Sequence, residues 1–209
     1  MTSEQKNYLI LIVGLPGTGK STLAGKIAEK LGNYTLIDQN ELRRQAGIKK
    51  MPKNQDSILR QIDRMTAESL NNSKGVIVDS VHRYSFRRQQ LYGVASGCGK
   101  EVLLIECVCS AEEAKKRMKQ RLKSDGLLSD PNNTQVYDKL ANLWEDITNH
   151  DFKYKGSDHV SYIIYNSEIN QIEAKKMQKG IRPLLNMLNA ILTEKNTIKP
   201  FSQNEILYR

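Results

Sequence analysis

Cysteine is scarce in this chain and odd in number, with three thiols in 209 residues, at Cys98, Cys107 and Cys109. That excludes a disulfide framework of the kind that staples small secreted domains, and two of the three alternate within an apolar segment, which suits buried thiols in a strand. Histidine is equally sparse, and His82, His150 and His159 show no zinc-type ligand spacing with the cysteines. Long hydrophobic runs are missing: the longest, Leu9 to Val13, falls far short of the ~20 residues a membrane span needs. It leads into a glycine-rich turn and not a cleavage site, so the expectation is a cytoplasmic chain with no signal peptide and no membrane partner. Acids are also short, 23 against 32 Lys and Arg, for a net charge of +9. That surplus points toward polyanionic partners without bearing on the fold.

What is present is enough apolar material for one sizeable core: 39% hydrophobic against 26% charged residues. Short apolar runs alternate with segments of helical period, the pattern of a parallel sheet with helices on both faces. The expected strands are Tyr8–Val13, Tyr34–Ile37, Val76–Val78, Val102–Val108 and Val160–Ile164, several of them continuous Val, Ile and Leu as in strands buried on both faces. Helix faces are marked by Leu23, Ile27 and Leu31, with Gly32 as the stop; by Ile58, Ile62, Met65 and Ser69; by Leu91 and Ala95; by Ala114 and Met118; and by Val136, Leu140, Leu143 and Ile147. Trp144 and the leucines around it are expected in the core. Residues 123–134 read as a loop between helices, and residues 150–158 as a connector. Beyond Ile169 we expect a helix interrupted near Pro183 and resuming through Leu192, then a polar tail from Thr193.

Gly14 to Ser21 reads GLPGTGKS and matches the pattern G-x-x-x-x-G-K-S/T. Gly17 and Gly19 let backbone N–H groups wrap a phosphate, Lys20 reaches the β- and γ-phosphates, and Ser21 presents a hydroxyl to Mg2+. Gly14, Thr18 and Thr22 complete the cradle. The loop follows an expected strand and opens an expected helix, which puts the phosphates at a helix N-terminus. ATP or GTP with Mg2+ is the implied ligand. A second carboxylate should end a neighbouring strand, and Asp79 does so after Val76, Ile77 and Val78; its role would be to hold Mg2+ or its water shell, or to polarise the acceptor. No Asn-Lys-x-Asp segment reads guanine, which disfavours a switch GTPase.

With these residues the chain resembles the P-loop kinases related to polynucleotide kinase and the zeta toxins, including kinases of about this size grouped as AAA family ATPases. The resemblance runs over residues 8–165. It is carried by Gly14–Ser21, by the segment Asp38 to Arg43, by Asp79-Ser80 followed by Arg83 and Arg87, and by the pair Arg117 and Arg121. It implies a three-layer α/β fold with a five-stranded parallel sheet and a helical lid, here 111–135, within a domain of residues 1–168 followed by a helical extension and tail over 169–209. It also implies ATP- and Mg2+-dependent transfer of the γ-phosphoryl group to a hydroxyl. In that group an Asp beyond the second strand takes up the acceptor hydroxyl and an Arg three residues later contacts substrate. Arg43 matches the Arg, but Asn40 stands at the Asp position, and an amide is no general base. Asp38 is the substitute, with Asp79 and Glu41 as rivals. Arg117 and Arg121, four apart on one helix face, match the arginines that close over the nucleotide and stabilise charge on the transferring group.

The basic residues group in two segments. Leu42 to Arg60 holds six (Arg43, Arg44, Lys49, Lys50, Lys53, Arg60) against Asp56, and Arg83 to Lys100 holds four (Arg83, Arg87, Arg88, Lys100) and no acid. Both follow strand ends at the edge where open α/β sheets bind ligands. The expected acceptor is therefore anionic, an RNA or DNA 5′ end or tRNA, with His82, Tyr84 and Phe86 available to stack on a base. The alternatives are a small-molecule or nucleoside kinase, and a nucleotide-binding regulator or pseudokinase suggested by Asn40.

Overall fold

The computed structural model describes residues 7–47, 56–120, 134–153 and 157–193. Strand β1 (Leu9–Val13) leads through the glycine loop into α1 (Lys20–Leu31), followed by β2 (Tyr34–Asp38), α2 (Gln39–Gln45), α3 (Asp56–Asn71) and β3 (Gly75–Asp79). Then come α4 (Ser85–Gly97), β4 (Val102–Val108), α5 (Ala111–Gln120), α6 (Gln135–Ala141), β5 (Val160–Asn166), β6 (Gln171–Lys176) and α7 (Arg182–Thr193). The sheet order is β2-β3-β1-β4-β5-β6. All neighbours pair in parallel except β5 and β6, which are antiparallel.

Alternation across the central strands explains the two core layers. Ile10 and Ile12 of β1 join Leu23 and Ile27 of α1 and Leu184 and Leu188 of α7 on one face. Leu9, Leu11 and Val13 join Ile58 and Ile62 of α3 and Leu91 and Tyr92 of α4 on the other. β1 is buried along its whole length, as its unalternating sequence requires.

Three expectations are corrected. The sheet has six strands among the described residues, not five, because the chain turns at Ile169 and returns as β6 where a helix was expected. The alternating exposure of Gln171–Lys176 shows why: an edge strand with one half-covered face has period two, and its short, polar sequence resembles a weak helix. Pro183 does not interrupt a helix; it sits in the first turn of α7, where a missing N–H costs nothing. The helix expected through Ile147 ends at Ala141, leaving Leu143 49% exposed, while Trp144 and Ile147 pack on the second core from an irregular segment. Helix α2 was not anticipated: its seven residues carry no apolar period, and the helix is started instead by Asp38, which accepts a hydrogen bond from the Asn40 amide at 2.7 Å.

Candidate functional site: a glycine-rich loop beside two carboxylate-ended strands

The loop between β1 and α1 is shaped by glycines in the left-handed region, Gly14 at φ 140°, Gly17 at 82° and Gly19 at 91°. Close packing adds a second reason for glycine, since a Cβ on Gly14 would collide with the Cys107 carbonyl and one on Gly17 with the Ala114 carbonyl of α5. Thr18 Oγ1 and Lys20 Nζ both donate to the Leu15 carbonyl, each at 2.8 Å, while Ser21 and Thr22 face solvent on the first turn of α1. The loop residues singled out in the sequence thus form one cradle of backbone amides, a buried cation and three hydroxyl-bearing side chains at a helix N-terminus.

Register then sets two carboxylates beside it. Asp79 ends β3 opposite Ile12 of β1, and Asp38 ends β2 opposite Asp79. Asp79 is buried and shares the sheet face of Ile77, which packs in the α1 core layer. The β3–α4 loop runs beside the cradle, with the Ser80 amide donating to the Ile12 carbonyl at 3.3 Å and the Gly14 amide to the Val81 carbonyl at 3.5 Å. Ser80 Oγ also donates to Gln39 Oε1 at 2.5 Å, which ties this loop to α2.

Asn40 supports Asp38 through its backbone N–H, not its amide side chain. Glu41 bonds outward to Arg44 and Gln45 on the exposed side of α2. Arg43 is buried; desolvation draws its pKa below the usual guanidinium value, and the charge of Asp38 opposes that shift.

On the other flank, Arg117 of α5 donates through Nε to Glu113 at 2.8 Å and through Nη1 to Ser167 Oγ at 2.7 Å. Its Nη1 lies 3.7 Å from where a Gly19 Cβ would sit. Arg117, Gly19, Thr22, Ser167 and Asn170 line a groove of about 940 Å³ that runs from the loop along α1 to Ile191 and Leu192. Arg121 and most of the expected lid, together with Lys49, Lys50 and Lys53, lie outside the described residues.

The expected basic acceptor face is thinner than its sequence. Arg87 is buried and pairs with Asp63 at 3.4 Å and with Gln90. Arg88 is buried against Asp151, Arg44 pairs with Glu41, and Lys100 precedes β4 at the opposite edge of the sheet. Arg83, in the β3–α4 loop that borders the cradle, donates through Nη2 to the Tyr84 hydroxyl at 3.0 Å. Sequence reasoning missed Arg88 and Asp151 as a pair, because nothing local links positions 63 apart. Among the described residues no cluster of three or more His, Cys, Asp or Glu could hold a metal, and no helix is long and apolar enough to cross a membrane.

Residues 9–143 match the AAA domain family AAA_33. Adenylate kinase isoenzyme 5 of Bos taurus is 29% identical over 157 residues, which cover 69% of this chain but only 27% of that protein. A kinase candidate from Chloroflexus aurantiacus superposes with a TM-score of 0.61 at 16% identity, over 90% of this chain and 96% of its own. A sugar kinase from a Janibacter species does so with 0.58 at 15%, over 88% and 98%. At such identities the likeness to the solved structures is one of fold. Glycine loop, strand-end carboxylates and family match converge, and the chain belongs to the AAA_33 family of AAA domains and has the P-loop kinase fold.

Proposed function

We propose that this protein is an ATP- and Mg2+-dependent kinase that transfers the γ-phosphoryl group to a hydroxyl of an anionic acceptor, an RNA or DNA 5′ end or tRNA being preferred. The observation that carries the reading is the register that sets Asp79 and Asp38 on adjacent strand ends beside the Lys20 loop. The cradle fits a triphosphate: positive-φ glycines at which a Cβ would collide, a buried lysine, and the exposed Ser21 hydroxyl. Mg2+ would be held by Ser21, Asp79 and the nucleotide's own phosphates, the usual small share of protein ligands for this ion. When bound, it would neutralise charge developing on the phosphates.

Asp38 is the proposed base. Its cap on α2 uses Oδ1, so Oδ2 takes the proton as the acceptor oxygen bonds to the γ-phosphorus and the bond to the ADP oxygen breaks. Arg43, beside Asp38, and Arg83, in the β3–α4 loop, hold the anionic acceptor. Arg117 forms the wall of the nucleoside groove, and Arg121 is the charge-stabilising arginine of the lid. The test is transfer of labelled γ-phosphate across 5′-hydroxyl oligonucleotides, tRNA, nucleosides and sugars, with Asp38→Ala as control. Loss of transfer in that variant with nucleotide binding intact supports the base; unchanged transfer refutes it.

The adenylate kinase relative favours a second reading, a phosphate acceptor such as a nucleoside monophosphate. Formation of ADP from AMP and ATP in the same assay, without transfer to any hydroxyl, would replace the first reading with this one.

A further inference from the structure

The corner between β3 and α4 carries features that a nucleotide in the cradle would not use. Three side chains lie in layers there. The Arg83 guanidinium carbon stands 4.4 Å from the centroid of the Tyr84 ring, and the Tyr84 and Phe86 rings stack with centroids 5.7 Å and planes 20° apart. Phe86, the outer layer, is 55% exposed. A phenyl ring left in water on the first turn of a helix forgoes the burial that stabilises such a ring elsewhere.

The polar surroundings point the same way. His82 Nε2, Arg83 Nε and Arg87 Nε are buried without a hydrogen-bond partner, three within six residues, where nearly all buried polar atoms of folded proteins are paired. His82 also holds a left-handed backbone at φ 40°, a conformation that persists where the surroundings over-determine it. Arg88 is that surrounding. Its Nη1 donates to the His82 carbonyl at 3.1 Å and the Arg83 carbonyl at 3.2 Å while its Nε is held by Asp151. The Ser85 amide donates to Glu145 at 2.6 Å and the Glu145 amide to the Arg83 carbonyl at 2.9 Å. The layered side chains therefore rise from a backbone fixed at both ends, which lowers the ordering cost of any contact they make.

We infer that the Arg83, Tyr84 and Phe86 stack is a base-stacking platform, and that it takes the nucleobase at the hydroxyl-bearing end of a single-stranded nucleic acid. The inference rests on the acceptor reading proposed above. An exposed ring face accepts the π-face of any base, and a guanidinium behind it adds positive charge that suits a polyanion. The platform is open on its outer side, whereas a small-molecule site encloses most of its ligand; a strand, held elsewhere along its backbone, needs only the one-sided contact. The loop that carries the stack borders the phosphate cradle through the bonds of Ser80 and Gly14, so the platform stands at the sheet edge where an acceptor must lie.

The test compares two 5′-hydroxyl oligonucleotides, one beginning with 2-aminopurine and its twin with an abasic first residue, binding to the full chain by anisotropy of a 3′ fluorophore. The wild type should bind the base-ended strand about five- to a hundredfold more tightly than the twin, the range that stacking on an aromatic residue supplies, and should quench the 2-aminopurine emission. Phe86→Ala should erase both effects and Phe86→Trp should keep them; the ring is exposed, so neither variant disturbs the core. Equal binding of the two strands, no binding of either, or an unchanged preference in Phe86→Ala overturns the platform. Phosphoryl transfer is followed on the same strands and on a nucleoside and a sugar. Phe86-dependent strand preference without transfer leaves the platform standing and removes the kinase reading, whereas transfer to the strands with no Phe86-dependent preference does the reverse.

Discussion

Arg88 and Asp151, 63 positions apart, form an ion pair with Nε 2.8 Å from Oδ1 and side chains 0% and 1% exposed. The pair ties α4 to the 3-10 turn Asn149–Phe152, and the same guanidinium also donates to the Glu145 carbonyl at 3.0 Å. The connector is thus fastened to the helix that follows Asp79, and the corner that carries Arg83 and Phe86 is built on that fastening.

Removing one member of such a pair leaves the other charge buried and alone, at a cost of ~3–5 kcal/mol. Asp151→Asn and Arg88→Met should each lower the urea midpoint by that equivalent. Arg88→Lys should not restore it, because one ammonium cannot serve the carboxylate and the carbonyls of His82, Arg83 and Glu145 together. Equal stability of wild type and Arg88→Lys would refute this account.

Two glycines separate function from stability. Gly17→Ala meets the Ala114 carbonyl at a positive φ and should abolish binding of a fluorescent ATP analogue. Gly25, on the exposed side of α1 with nothing within 4 Å of an added Cβ, has no such role. Gly25→Ala should raise stability by ~0.5–1 kcal/mol through helix propensity while leaving nucleotide affinity unchanged.

Arg117 and Arg121 should part in their kinetics. Arg117 is engaged by Glu113 and Ser167 beside Gly19, so Arg117→Ala should weaken nucleotide binding, read as a raised KM for ATP. Arg121→Ala should lower kcat more than it raises KM, as expected of a group that acts on the transferring phosphoryl. Equal losses of kcat and affinity in the second variant would argue against that role.

His82 supplies a pH dependence of known sign. Burial, reinforced by the charges of Arg87 and Arg88, holds its pKa down from 6.5 to about 3. The unfolded chain therefore binds a proton that the folded chain refuses, and this residue takes stability away as pH falls from about 6.5 toward 3. Denaturant midpoints measured across that window should fall less steeply in His82→Asn, a residue that tolerates the left-handed backbone. An unchanged slope would show that other groups govern acid unfolding.

The sequence by itself determined the parallel strands, the glycine loop and the carboxylate at the end of β3, because each is a local pattern with a local cause. An unalternating apolar run is a doubly covered strand, and a glycine at positive φ is needed wherever amides wrap an anion. Asp38 was marked as a candidate base from its strand-end position, but its bond to the Asn40 amide and its register with Asp79 belong to the folded sheet. The tertiary structure alone decided that β6 closes the sheet, since an edge strand is defined by the neighbour it pairs with. It alone decided that Arg87 and Arg88 pair with Asp63 and Asp151, while Arg83 bonds to its neighbour Tyr84. Charge counted along a chain says how many cations there are; which of them meet a ligand depends on the carboxylates that distant segments bring to them.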